Sequence, residues 1–124
     1  MKKRATFLDV TEKLRLSDWA EHVVPMFGGE VPYLVGSVLD DPNYRDVDIR
    51  LILDDDAFAR LSALIDVRRL GFVVSLWGQQ VTGLRIDFQI QEQTTANEEF
   101  KGPRHAIGLG ALQVVIGEPL RGDV

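Results

Sequence analysis

The chain contains no cysteine, which removes disulfides, thiol nucleophiles and cysteine-ligated zinc. It holds two histidines, His22 and His105, and neither has a partner at the spacing of a zinc site or of a nucleophilic triad. No apolar run approaches the length that spans a bilayer, so no membrane partner is expected. Met1-Lys2-Lys3-Arg4 is not followed by an apolar core of signal-peptide length, and cytosolic residence is the expectation. Basic residues are in the minority, 14 Lys and Arg against 19 Asp and Glu, a formal net charge of −5. That balance counts against binding an extended nucleic-acid backbone, which needs a clustered basic surface. A single nucleotide brought in by a metal ion stays compatible with it.

What is present fits one soluble domain spanning residues 1–124, with 45% hydrophobic and 27% charged residues. Ser17 offers a cap for a helix over Asp18–Phe27, where Trp19, Val23 and Met26-Phe27 recur at helical spacing before Gly28-Gly29. Val31 to Val35 reads as a short strand. Asp46 to Leu53 alternates polar and apolar at period two, a strand with one buried face. Asp54 caps a helix with Asp55 and Asp56 in its first turn, and Arg68-Arg69 followed by Gly71 reads as a basic last turn and stop. Phe72–Gln80 and Leu84–Gln91 flank Val81-Thr82-Gly83 and predict a β-hairpin. Residues 92–110 read as a loop or a broken helix around Ala96–Phe100, and Leu112–Ile116 as the last strand. The fold class expected is α+β: one mixed sheet with helices packed on one face and two strands polar on the other. The core falls at about residues 17–91, with a C-terminal loop and strand over 92–124.

Chemistry concentrates on that polar face. Asp46 and Asp48 lie two apart on a strand, so both carboxylates leave one side while Val47, Ile49 and Leu51 leave the other. On the second strand Arg85, Asp87, Gln89 and Gln91 share one face, opposite Ile86, Phe88 and Ile90. If the two strands are neighbours, three carboxylates meet, and they repel unless a divalent cation or an arginine sits among them. Hard Mg²⁺ suits such oxygen ligands, and paired ions about 3.5–4 Å apart are a common clamp for phosphoryl transfer. The bland reading is a solvated sheet face on which Arg50 and Arg85 pair with the acids, as antiparallel sheets often show. Gly36-Ser37 tips the balance towards a site. A backbone that approaches phosphate closely needs a residue without Cβ, and the serine adds a hydroxyl. Asp54-Asp55-Asp56 is better read as a helix start, Gly108-Leu109-Gly110 lacks the strand-turn-helix context of a dinucleotide site, and Tyr44-Arg45 completes the turn begun at Pro42-Asn43.

Taken together, Leu34-Val35-Gly36-Ser37, Asp46-Val47-Asp48-Ile49 and Arg85-Ile86-Asp87-Phe88 resemble the minimal single-domain nucleotidyltransferases of the DNA polymerase beta superfamily, over about Ser17 to Gln91. The resemblance implies a nucleotidyltransferase-like mixed sheet and a Mg²⁺-dependent transfer of a nucleoside monophosphate from a nucleoside triphosphate to a hydroxyl. By position it implies phosphate binding at Gly36 and Ser37, metal binding and catalysis at Asp46, Asp48 and Asp87, and charge neutralisation by Arg50 and Arg85. An alternative stays open: an inactive domain of the same fold that binds a nucleotide or a protein partner, in the manner of an antitoxin. Asp40-Asp41 stands where such enzymes carry a small residue, an arginine and a glycine, and the chain shows no evident second domain; both features favour the alternative.

Overall fold

Three helices, a short fourth and a four-stranded sheet make up the computed structural model, which describes residues 6–109. Helix α1 runs Val10–Val23 and is started by a capping box. Asp9 Oδ1 accepts from the Glu12 N–H at 2.7 Å, and Glu12 Oε1 accepts from the Asp9 N–H at 2.9 Å. Leu16, Trp19, Ala20 and Val23 form its buried stripe at helical spacing. The predicted start at Ser17 is therefore corrected: Ser17 lies inside α1, and the chain past Val23 is a 3₁₀ turn, Val24–Phe27. An Asp-x-x-Glu pair supplies two side-chain partners to orphan N–H groups, whereas a lone serine supplies one.

Strand β1 is Tyr33–Val35, shorter at its start than the predicted Val31–Val35, and a 3₁₀ turn, Gly36–Leu39, follows it. Strand β2 is Val47–Leu53. Helix α2, Asp55–Leu64, opens as expected on Asp54, whose Oδ1 accepts from the Ala57 N–H at 2.7 Å.

The chief correction concerns the next segment. Residues Phe72–Gln80 are not a strand but the middle of helix α3, Val67–Thr82, capped by Asp66 and ended by Gly83 at φ 74°. There is thus no hairpin. Strand β3, Ile86–Glu92, runs parallel to β2, and α2 and α3 form the crossover that a parallel pair requires. Gly71 does not stop a helix; it lies inside α3, where an added Cβ would stand 3.0 Å from the Phe88 carbonyl oxygen. Helix α4, Gln93–Glu99, takes the second of the two expected forms, a helix beginning a little before the expected Ala96–Phe100, and β4 is His105–Ala106. The predicted strand Leu112–Ile116 lies outside the described residues.

The sheet order is β3-β2-β1-β4, with β1 antiparallel to β2 and to β4, so it is mixed and the class is α+β. Val47, Ile49, Leu51, Ile86, Phe88 and Ile90 fill the apolar side with Trp19 and Val74. Trp19 ties three elements together: its ring meets Trp77 edge-on at 5.7 Å and Phe88 at 6.2 Å, and it packs against Gly78, where a Cβ would come within 2.8 Å. Helix α3 also finishes the outer edge of β3. Ser75 Oγ accepts from the Phe88 N–H at 2.8 Å and lies 3.1 Å from the Phe88 oxygen, and the Gln79 amide donates to the Ile86 oxygen at 2.9 Å. Backbone groups that would otherwise face solvent along an edge strand are satisfied by side chains. Helix α4 touches the opposite, polar face, where the Gln91 amide donates to Glu99 at 2.9 Å.

Candidate functional site

The register of the parallel pair sets Asp48 directly opposite Asp87. The neighbour of Asp48 on its other side is Val35, the last residue of β1. Reading across the sheet, the order is therefore the Gly36 turn, Asp48, Asp87, and then helix α3 along the edge. Gly36 adopts φ 79°, and a Cβ there would lie 2.6 Å from Asp48 Oδ2. The glycine is required twice, by its left-handed backbone and by the closeness of a carboxylate. Ser37 lies in the same 3₁₀ turn, half-buried, and its carbonyl accepts from the N–H groups of Asp40 and Asp41 at 3.1 and 2.8 Å. Both of those acids are exposed.

Burial pushes the Asp48 carboxyl up to about 6; Arg50 opposes that shift, while Asp87 and Asp46 add to it by repulsion and Asp87 also by sharing a hydrogen bond. Arg50 is the internal counterweight. Its side chain is 7% exposed, and its guanidinium lies 3.9 Å from Asp48 Oδ1 and 3.5 Å from Asp87 Oδ2. It also donates to the backbone oxygens of Ile49 and Asp87 at 3.0 and 2.7 Å, and it rests on the Phe100 ring at 5.4 Å from the centroid. Its Nε has no hydrogen-bond partner among the described residues. Gln89 donates to both Asp87 oxygens, at 3.2 and 3.3 Å.

Asp46 comes just before β2 and pairs with the exposed Arg85 at 3.4 Å. The Val47 N–H donates to the Arg85 oxygen at 2.9 Å, which holds the two chain segments together at this end of the sheet. Of the seven residues singled out in the sequence, Asp48, Asp87, Arg50 and Gly36 make one tight group. Asp46 and Arg85 form its margin on the β3 side, and Ser37 its margin on the β1 side.

The donor set suits Mg²⁺. Two carboxylates stand at paired positions on neighbouring strands, one of them is held back from ionising by burial and by its acidic neighbours, and a hard cation would relieve that repulsion. Among the described residues no three His, Cys, Asp or Glu side chains stand as a metal-holding group.

Other parts of the site were not visible in the sequence. A groove of about 590 Å³ runs between α3 and the acid-bearing face and is lined by Asp46, Arg85, Asp87 and Gln89 on the sheet side. Arg68, Phe72, Leu76 and Gln79 line the helix side. Their spacing of four, four and three is a helical row, but Phe72–Gln80 taken as a strand splits it. Phe100, which supports Arg50, lies in a segment expected to be a loop or a broken helix, and nothing in the sequence pointed it at an arginine. Among the described residues no helix is long and apolar enough to cross a membrane. Set beside protein-family models, curated proteins and solved structures, the chain matches none of them.

Proposed function

We propose that the chain is a Mg²⁺-dependent nucleotidyltransferase that moves a nucleoside monophosphate from a nucleoside triphosphate to a hydroxyl. The observation that carries this reading is the in-register pair Asp48–Asp87 beside the left-handed Gly36, at the end of a parallel crossover. Gly36 and Ser37 supply a side-chain-poor approach and a hydroxyl for the phosphates. Asp48 and Asp87 would hold the cation, with Asp46 completing its ligands. Bound there, Mg²⁺ supplies the positive charge that offsets the triphosphate and aligns its phosphates. Arg85, exposed on the β3 side, pairs with Asp46 and steadies that acid. Arg50 is buried and fixes Asp87 through both its backbone oxygen and its carboxylate, so its role is to position that acid.

In the transfer, the acceptor oxygen attacks the α-phosphorus and forms the new O–P bond as the bond to the β-phosphate oxygen breaks. Pyrophosphate leaves, and the acceptor proton passes to Asp87. In-line displacement requires the acceptor and pyrophosphate to lie on opposite sides of that phosphorus.

A second reading is favoured by one observation: Arg50 already balances the acid pair without a metal. In that reading the domain binds a nucleotide or a protein partner and does not turn over.

Calorimetric titration of Mg²⁺ with each nucleoside triphosphate, into the wild type and Asp48→Asn, tests the phosphate–metal site, and pyrophosphate release in the presence of a hydroxyl acceptor tells the enzyme from a domain that only binds. Metal-dependent binding that is lost in the variant is the expected result. Absence of binding to every triphosphate overturns the enzymatic reading and directs attention to a protein partner.

A further inference from the structure

The order of parts across the sheet gives the groove a place in the reaction. The Gly36 turn lies on one side of Asp48, while Asp87 and the α3 groove lie on the other. If phosphates occupy the Gly36–Ser37 side, the second reactant must arrive from the side of Asp87. Resting on the nucleotidyltransferase reading, we propose that the groove between α3 and β3 is the acceptor site. We further propose that it takes a small, uncharged aryl compound whose hydroxyl reaches Asp87.

Three features of the groove select that chemistry. Its helix wall presents Phe72 and Leu76, 64% and 49% exposed, on one row with Arg68 and Gln79. A large aromatic side chain left in water beside a cavity is a stacking surface for a flat ligand. Its charged lining is balanced, Asp46 and Asp87 against Arg68 and Arg85, so no net charge on the walls favours an ionic ligand over a neutral one. Its volume, about 590 Å³, lies in the usual range of small-ligand clefts. The groove floor is stiff, because Gly71 and Ser75 hold α3 against the backbone of Phe88.

The test is amide-resolved NMR titration of the nucleotide-free protein with 4-methylphenol, and separately with glycerol, which offers hydroxyls without a ring. Shifts gathered at Phe72, Leu76, Asp87 and Gln89 are expected with 4-methylphenol and not with glycerol. Phe72→Ala weakens the aryl affinity about fivefold or more. Val73→Ala changes the neighbouring residue, which is exposed but is not a lining residue of the groove, and leaves that affinity unchanged. Equal response to both probes, shifts elsewhere, or an unchanged affinity in Phe72→Ala overturns the proposal. The triphosphate titration reads the other half independently. Triphosphate binding with no aryl binding removes the acceptor assignment alone. Aryl binding with no triphosphate binding removes the enzymatic reading, and the acceptor role with it.

Discussion

Gly36 and Asp48 stand so close that a single added methyl group on the glycine would lie 2.6 Å from a carboxylate oxygen of the acid. The contact sets the turn after β1 against the middle of the acid-bearing face, so the backbone near the proposed phosphates abuts the proposed metal ligand.

Replacing Gly36 by alanine therefore has two costs. The left-handed backbone at φ 79° is unfavourable for any residue with a Cβ, by about 1–3 kcal/mol. The methyl also has to displace Asp48. A lower denaturation midpoint together with loss of triphosphate binding is expected. Wild-type binding in a destabilised Gly36→Ala chain would show that the turn does not serve the site.

Asp48 gives the stability curve a sign that runs against the usual carboxylate pattern. Its folded-state value of about 6 lies above the ordinary value near 3.8, so between those limits the folded chain keeps a proton that the unfolded chain has lost. Stability from this group is full below about pH 4, falls as pH rises, and is at its lowest above about pH 6. A displacement of that size corresponds to at most about 3 kcal/mol, reduced by whatever solvent screens the carboxyl. In EDTA, Asp48→Asn is expected to exceed the wild type in thermal stability at pH 8, with the gap closing towards pH 4. A gap that is the same at both pH values would mean the carboxyl is not held back from ionising.

Arg50 and a divalent cation do overlapping work. Arg50→Met leaves Asp48 and Asp87 without their nearest positive charge and removes a side-chain donor to the Asp87 backbone oxygen, a loss of about 2–3 kcal/mol. Added Mg²⁺ is expected to raise the melting temperature of Arg50→Met more than that of the wild type, at ionic strength matched with NaCl. Identical Mg²⁺ responses would separate the acid pair from any metal role.

The acid face was legible because its signal is local. Period-two alternation along 46–53 and 84–91 fixes which side chains share a side, and the strand pairing then preserved that face without a slip: Asp48 meets Asp87. The Asp54 cap was legible for the same reason. Helix α3 was not. Phe72, Val73, Val74 and Trp77 favour strands by composition, and Gly71 and Gly78 look like breakers. Both glycines are instead demanded by neighbours far away in the chain: Gly71 by the Phe88 carbonyl and Gly78 by the Trp19 ring. The Asp66 cap and the buried face at Gly71, Val74, Ser75 and Gly78 were in the sequence, but only contact with β3 and α1 makes them outweigh propensity. The groove was lost with the helix, since half its wall is α3.

The way α3 finishes β3 also governs how this molecule can associate. Ser75 and Gln79 already occupy backbone positions that an incoming strand would need. A second chain cannot pair with the Ile86–Phe88 stretch of the strand that carries Asp87. Strand addition is obstructed on that flank beside the acids, and a neighbour joining the sheet at its other end leaves the acids and their groove uncovered.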